Sequence, residues 1–295
     1  MDLREYQQRA LQTDQATGDT ERSIIIPLLG LAGEAGTLLS EYKKHLRDGE
    51  AHRLHKQRVS EELGDLLWYL SNVASKYDLD LDAIAEANLA KAHGRWTLRG
   101  RAGADLGPPR IYDAGFPEHE RFPRQFDVEF SETREGDRVK VRTVIGGEQV
   151  GHPLTDNAYG DDGYRFHDVF HLAHAAVLGW SPVSRWLLKR KRKSDPVVDE
   201  VEDGGRARVI EEGLAAIVFA YAQNHSFFEG VTTIDEALLR VIKNVTSLLE
   251  VAQCSAGEWE SAILQGYDVW RQVVAQGGGR LQIDLDARSI SFSPQ

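Results

Sequence analysis

Through residues 1–97 apolar side chains recur every three or four positions, the period of an amphipathic helix. A short helix fits Leu3 to Thr13. A second runs from about Ile24 to Leu46, with Leu28, Leu31, Ala35, Leu38, Tyr42 and Leu46 on one stripe. Pro27 fits it only near the first turn, where a missing N–H costs nothing, and Asp48-Gly49 ends it. A third spans about Leu54 to Tyr77 with Val59, Leu63, Leu66, Leu70 and Val73 aligned. A fourth runs from about Leu81 to Trp96, capped by Asp80. Four helices with short connections predict a small antiparallel bundle.

The pattern changes at Thr97. Glycines, Pro108-Pro109, Pro117 and Pro123 make residues 98–123 a linker or irregular connection. Gln125 to Glu132 and Arg138 to Ile145 read as two strands around Arg134-Glu135-Gly136-Asp137. Helical periods return at about Tyr164–Gly179, Pro182–Arg190, Ala207–Asn224, Thr233–Val251 and Ala256–Val274. The tail alternates as Leu281, Ile283, Leu285, then Ile290, Phe292, which fits a hairpin joining the earlier strands. Gly277-Gly278-Gly279 reads as a loop before it. The expected fold class is mainly α. An all-α four-helix bundle over residues 1–97 is followed by an α+β domain over 124–295, mostly helical with a small antiparallel sheet.

Composition sharpens this picture. With 41% hydrophobic and 27% charged residues the chain is an ordinary globular protein. The 35 basic and 46 acidic side chains leave a net charge of −11, which repels bulk nucleic acid. The basic block Lys189–Lys193 is followed closely by Asp195, Asp199, Glu200, Glu202 and Asp203, so it reads as a solvated helix end. The lone Cys254 excludes a disulfide scaffold and fits a reducing compartment. Ile24 to Ala32 is about half the ~20 apolar residues a membrane span needs. The opening residues are polar, so a cytoplasmic protein with no membrane partner is expected.

The chemistry-bearing residues of the first region are acidic. Glu62 and Asp65, three apart, project from one side of the third helix. The second helix offers Glu34 within Gly33-Glu34-Ala35-Gly36, whose small residues let another helix approach closely. An isolated Glu-x-x-Asp is usually a solvated helix face. Here it lies in a nearly apolar helix facing a Gly-Glu-Ala-Gly segment. Carboxylates converging from two helices suit a magnesium ion, which wants near-octahedral oxygen ligands.

These segments, GLAGEAGTLLSEYKK, then EELGDLLWYL, then EANLAKAHGRW, resemble the MazG-type all-α nucleotide pyrophosphohydrolases over about residues 24–96. The resemblance implies hydrolysis of a (deoxy)nucleoside triphosphate to monophosphate and pyrophosphate with magnesium, or manganese. It implies a homo-oligomer and an NTP pyrophosphatase-like bundle. Of the signature Glu-x-x-Glu … Glu-x-x-Asp, Glu34, Glu62 and Asp65 match and become the expected metal ligands. The second position is Thr37, which lacks the charge. Glu41, seven residues after Glu34 and so ~10 Å along the axis, or Glu61 would then position the attacking water, with Glu34 part of the catalytic set. Lys44, Asn88, Lys91 and Arg95 resemble the family's phosphate- and sugar-binding positions. Trp68 and Tyr69 read as core, with base stacking as the alternative.

In the second region His167, His171 and His174 fall at i, i+4 and i+7, one helical face, beside Asp168. Such a face invites a transition metal, with Glu211 or Glu212 of a packed helix adding a carboxylate. His167-Asp168 also resembles the pair that names HD-type phosphohydrolases, although the sequence does not place that family's other histidine and aspartate. Two further functions follow: a nucleotide-sensing module with a site degenerate at Thr37, or metal-dependent phosphohydrolase chemistry in the C-terminal domain.

Overall fold

The computed structural model describes residues 1–15, 18, 20–96, 106–136 and 138–294, and of residues 93–96 and 135 the backbone only. The chain divides into two compact units, Met1–Ala92 and His93–Gln295.

The first unit is helical. Helix α1, Leu3–Leu11, starts where the Asp2 carboxylate accepts from Glu5 N at 2.7 Å. Helix α2, Glu21–Asp48, begins three residues before the predicted Ile24 because Thr20 caps it by accepting from Ser23 N. Pro27 therefore sits in the second turn. Helix α3, His55–Lys76, runs back along α2 after a tight turn through Gly49 at φ +56. Gly30 sets that approach, since a Cβ there would fall inside the Tyr69 ring. Trp68 Nε1 donates to Thr13 Oγ1 at 2.8 Å, so this aromatic pair braces the helices. α1 is tied in by Gln7, which donates to Leu79 O and accepts from Leu81 N. Helix α4, Leu81–Trp96, starts on the Asp80 cap, with Asp80 Oδ1 accepting from Asp82 N at 2.8 Å.

Much apolar surface of this unit is uncovered. Leu28, Leu29, Leu39 and Leu46 on α2, Leu63 and Leu70 on α3, and Leu89 on α4 are all exposed. Among the described residues α2 is the one helix long and apolar enough to cross a membrane by length and composition, although it carries Glu34 and Glu41.

The second unit opens with residues 106–123. They are irregular, as their glycines and prolines predict, yet pinned. Phe122 is in the core, Asp113 pairs with Arg185 at 2.9 Å, and Arg110 pairs with Glu258. Strands β1, Gln125–Glu135, β2, Arg138–Ile145, and β3, Glu148–Leu154, follow. Then come α5, Asp168–Leu178, α6, Pro182–Leu187, α7, Pro196–Val201, α8, Gly205–Gln223, α9, Glu236–Val245, and α10, Ala256–Gln276. The chain closes with β4, Gly278–Asp284, and β5, Ser289–Ser293. The antiparallel sheet has the order β3-β2-β1-β4-β5. The predicted hairpin and tail thus share one sheet.

Phe130 on central β1 lies between Thr143 on β2 and Gly279 on β4. With Val128, Val141, Leu281 and Ile283 it forms the inner face that α5 and α10 cover. Every residue of α5 is buried.

Three features depart from the sequence pattern. β3 is a mostly exposed strand whose Gly151 and Pro153 hide it from any alternation rule, and Pro is tolerated because the strand is an edge. Gly278 and Gly279 belong to β4 rather than a loop, with φ of 140 and 145. A Cβ on either would meet the Phe130 carbonyl or the Phe292 ring. The basic block is not merely a solvated helix end. Arg192 is buried and paired at 2.7 Å with both Asp203 and Glu250.

Candidate active site

The α2–α3 hairpin brings together Glu34, Glu62 and Asp65, with ligand oxygens all within 4.8 Å of one another. Glu34 and Glu62 are half-buried and Asp65 is exposed, so the cluster opens to solvent on one side. Glu62 Oε2 is buried with no hydrogen-bond partner. Burial pushes the Glu62 carboxyl above its ordinary range, and Glu34, Asp65 and Glu41 push it further. Repelling carboxylates around an orphaned oxygen fit a hard dication, which would replace repulsion with coordination.

The neighbouring residues are committed elsewhere. Thr37 is exposed and its hydroxyl donates to Gly33 O at 3.3 Å. Glu41 is buried and accepts from Lys44 and from His52 Nε2 at 3.1 Å. Lys44, then His52, hold its carboxyl below the usual range against the opposing effect of burial. Glu61 accepts from Gln57 at 3.0 Å and Arg58 at 2.7 Å, and these two bonds hold it low as well.

Asn88 and Lys91 are exposed on α4. Within the described residues α4 packs along neither α2 nor α3, so the structure does not gather them with the three carboxylates. The Arg95 side chain lies outside the described residues.

Sequence reasoning missed His52, which meets Glu41 from beyond the end of α2, where no helical spacing connects them. Two more imidazoles stack there, His45 on His55, with ring centroids 4.1 Å apart. Burial, then His45 and His52, push His55 down.

The histidines of α5 form a second cluster. Because α5 has no exposed face, its polar side chains must find partners inside the unit. Thr143, held inward by its register on β2, donates to Asp168 Oδ2 at 3.1 Å. His167 Nδ1 lies 2.9 Å from Tyr164 O. Glu211 and Glu212 arrive on α8. Glu211 Oε1 lies 3.1 Å from His171 Nδ1 and 3.1 Å from His174 Nδ1, and its Oε2 accepts from Val183 N at 2.9 Å. Glu212 Oε2 lies 3.3 Å from His171 Nε2 and 3.7 Å from His167 Nε2. His171 is fully buried, yet neither nitrogen makes a well-directed hydrogen bond. Burial disfavours charge on His171, but Glu211 and Glu212 outweigh it and raise its pKa. Glu211 is likewise raised by burial but more strongly lowered by His171 and His174. Two sets of ligand atoms lie within 4.8 Å: His167, Asp168 and His171, and His171, His174 and Glu211.

Comparison with known proteins finds a family for each region. Residues 27–97 match the MazG nucleotide pyrophosphohydrolase domain. Residues 107–295, where the sequence reading recognised no family with its full set of residues, match the MazG C-terminal domain. The Gene 37 protein of Mycobacterium phage L5 is 36% identical over 69 residues, which are 23% of this chain and 60% of that protein. No solved structure matches. The chain belongs to the MazG family, with a nucleotide pyrophosphohydrolase domain followed by a MazG C-terminal domain.

Proposed function

We propose that the protein hydrolyses (deoxy)nucleoside triphosphates to monophosphate and pyrophosphate at the α2–α3 carboxylate cluster. The observation that carries this reading is the orphaned, buried Glu62 oxygen set among Glu34 and Asp65. Glu34, Glu62 and Asp65 would hold magnesium, or manganese in its place. When bound there, the dication would supply charge neutralisation on the polyphosphate and make the attacking water easier to deprotonate. Water adds to the α-phosphorus, the bond from that phosphorus to the α,β-bridging oxygen breaks, and pyrophosphate leaves. Glu34 takes the water's proton from the facing helix. Lys44 meets phosphate, and Glu41 is the positioning residue that holds Lys44 and His52. The family resemblance offers Asn88, Lys91 and Arg95 of α4 for the sugar and phosphates, but within the described residues α4 does not pack along the helices that carry the three carboxylates. The uncovered leucines of α2, α3 and α4 support a homo-oligomer that buries them, and the free, buried Cys254 suits the cytoplasm.

The test is the full-length protein with magnesium and a panel of triphosphates, with products separated. Release of pyrophosphate from at least one member is expected; no turnover by folded protein overturns the reading. Thr37 favours a second reading, in which nucleotide is held but not cleaved. Ligand would then raise the melting temperature without product. Light scattering checks the oligomer, and a particle with the mass of one chain overturns it.

A further inference from the structure

We infer that the C-terminal unit contains a second metal site, distinct in chemistry from the acidic one, in which His167, Asp168 and His171 bind one first-row transition dication with Glu212 beside them. The argument starts from tautomers. Tyr164 O can only accept, so the His167 Nδ1 that faces it at 2.9 Å carries a proton. The neutral ring then keeps its lone pair on Nε2. His171 Nδ1 lies 3.1 Å from the Glu211 carboxylate without a directed hydrogen bond, so the protein leaves the nitrogens of this buried ring uncommitted. Glu212 Oε2 lies 3.7 Å from His167 Nε2 and 3.3 Å from His171 Nε2.

Four ligands at ~2.1 Å in a tetrahedron lie about 3.4 Å apart. Asp168 has an atom within 4.8 Å of the ligand atoms of both histidines, and its Oδ2 is oriented by Thr143. Two imidazoles with carboxylates suit zinc, iron or manganese rather than magnesium.

The surrounding groups match what a metal site requires beyond its ligands. Glu211 is fully buried and already receives Val183 N and His174 Nδ1. It is the carboxylate beside His171, and His174 braces Glu211 instead of ligating. The fully buried His171, whose nitrogens lack a directed hydrogen bond, is the unpartnered group the ion completes. The Glu212 side chain is 46% exposed, so the ion has a route in from solvent.

The test uses tag-free, full-length protein. Elemental analysis of the isolated protein is expected to find about one equivalent of zinc, iron or manganese. After chelation, Co2+ should rebind saturably with a visible d–d band. His167→Gln and Glu212→Gln, each verified as folded by circular dichroism, should lose affinity by at least the ~10–100-fold that outer-shell changes cost. Glu62→Gln should keep the stoichiometry, separating this site from the pyrophosphohydrolase reading. No metal on isolation together with no saturable uptake of Zn2+, Mn2+, Fe2+ or Co2+ overturns the proposal. So does unchanged affinity in both variants. His171 would then be a buried cation paired with two glutamates.

Discussion

The two polar clusters solve the problem of buried charge in opposite ways. On α2 and α3 the residues are all acidic and partly open to solvent. Glu62 Oε2 is left without a partner. On α5 and α8 acids and imidazoles alternate, and the rings of His167 and His174 are anchored at Nδ1. The first arrangement depends on a ligand for its charge balance, whereas the second is oriented before any ligand arrives. The surroundings differ in the same sense. The first unit leaves leucines uncovered on three helices, and the second closes a core around the entirely buried α5. A site that handles an exchanging polyphosphate gains from the open design. A tightly held ion gains from the closed one.

Removing a ligand from the open site should have the largest effect on activity. Glu62→Ala and Asp65→Ala are each expected to lower kcat/KM by about 100-fold or more, because even outer-shell changes at metal sites cost ~10–100-fold. Steady-state pyrophosphate release measures this. Retained activity in either variant would move the metal elsewhere and dissolve the contrast between the clusters.

Next comes stability. Asp203 is fully buried between Arg192 and Arg185, at 2.7 and 3.6 Å. Asp203→Ala leaves Arg192 with Glu250 alone and Arg185 with Asp113 alone, one buried carboxylate short of the present network, at a cost of about 3–5 kcal/mol. For a unit this size that lowers Tm by about 10 °C or more. Arg58→Ala, at the exposed pair with Glu61, should cost about 0–1 kcal/mol. Scanning calorimetry on both variants checks whether buried charge sets the stability of the second unit alone.

A smaller effect concerns pH. The Glu62 carboxyl is raised in the fold, chiefly by burial. Its favourable contribution in metal-free protein is therefore present when it is protonated, below the ordinary carboxylate range, and is lost as pH rises through the raised value. Magnesium should restore stability at neutral pH, and that gain should fade toward about pH 4–5, as the carboxylates protonate. Thermal shift with and without magnesium across this range measures it. Glu62→Gln should raise the metal-free Tm at neutral pH and blunt the magnesium response. An equal magnesium shift in wild type and Glu62→Gln would show that the ion binds without Glu62.

What the sequence disclosed follows the range of the forces involved. The helices of the first unit, and the Glu62–Asp65 pair three residues apart, express local periodicity and were legible. So was the histidine face of α5, though not the division between ligating His167 and His171 and bracing His174, which the proposed site draws from where Glu211 lands on packing. Arg192 looked like one of five surface cations, because charge counting along the chain cannot detect that Glu250 comes to it from 58 residues away. His52 and the edge strand β3 were silent for the same reason. Their partners are set by tertiary contacts, not by spacing. Helix α7, only six residues long, carries too few turns to show a period.

The smallest expected effect separates the two acids that stand outside the carboxylate cluster. Glu61 is 44% exposed and its charge is already met by Arg58 and Gln57. Glu61→Gln should therefore change kcat/KM by no more than about twofold, the scale of a ~0.4 kcal/mol surface contact. Glu41 is buried, and its carboxylate gathers Lys44 and His52. Glu41→Gln retains shape and a hydrogen bond but releases the charge that holds Lys44, so it should raise KM for the triphosphate more than it lowers kcat. Titrating both variants against the best triphosphate decides between them. A large kcat loss in Glu61→Gln with an unchanged KM would make Glu61 the residue that orients water, and the open site would then extend further along α3 than its three ligands.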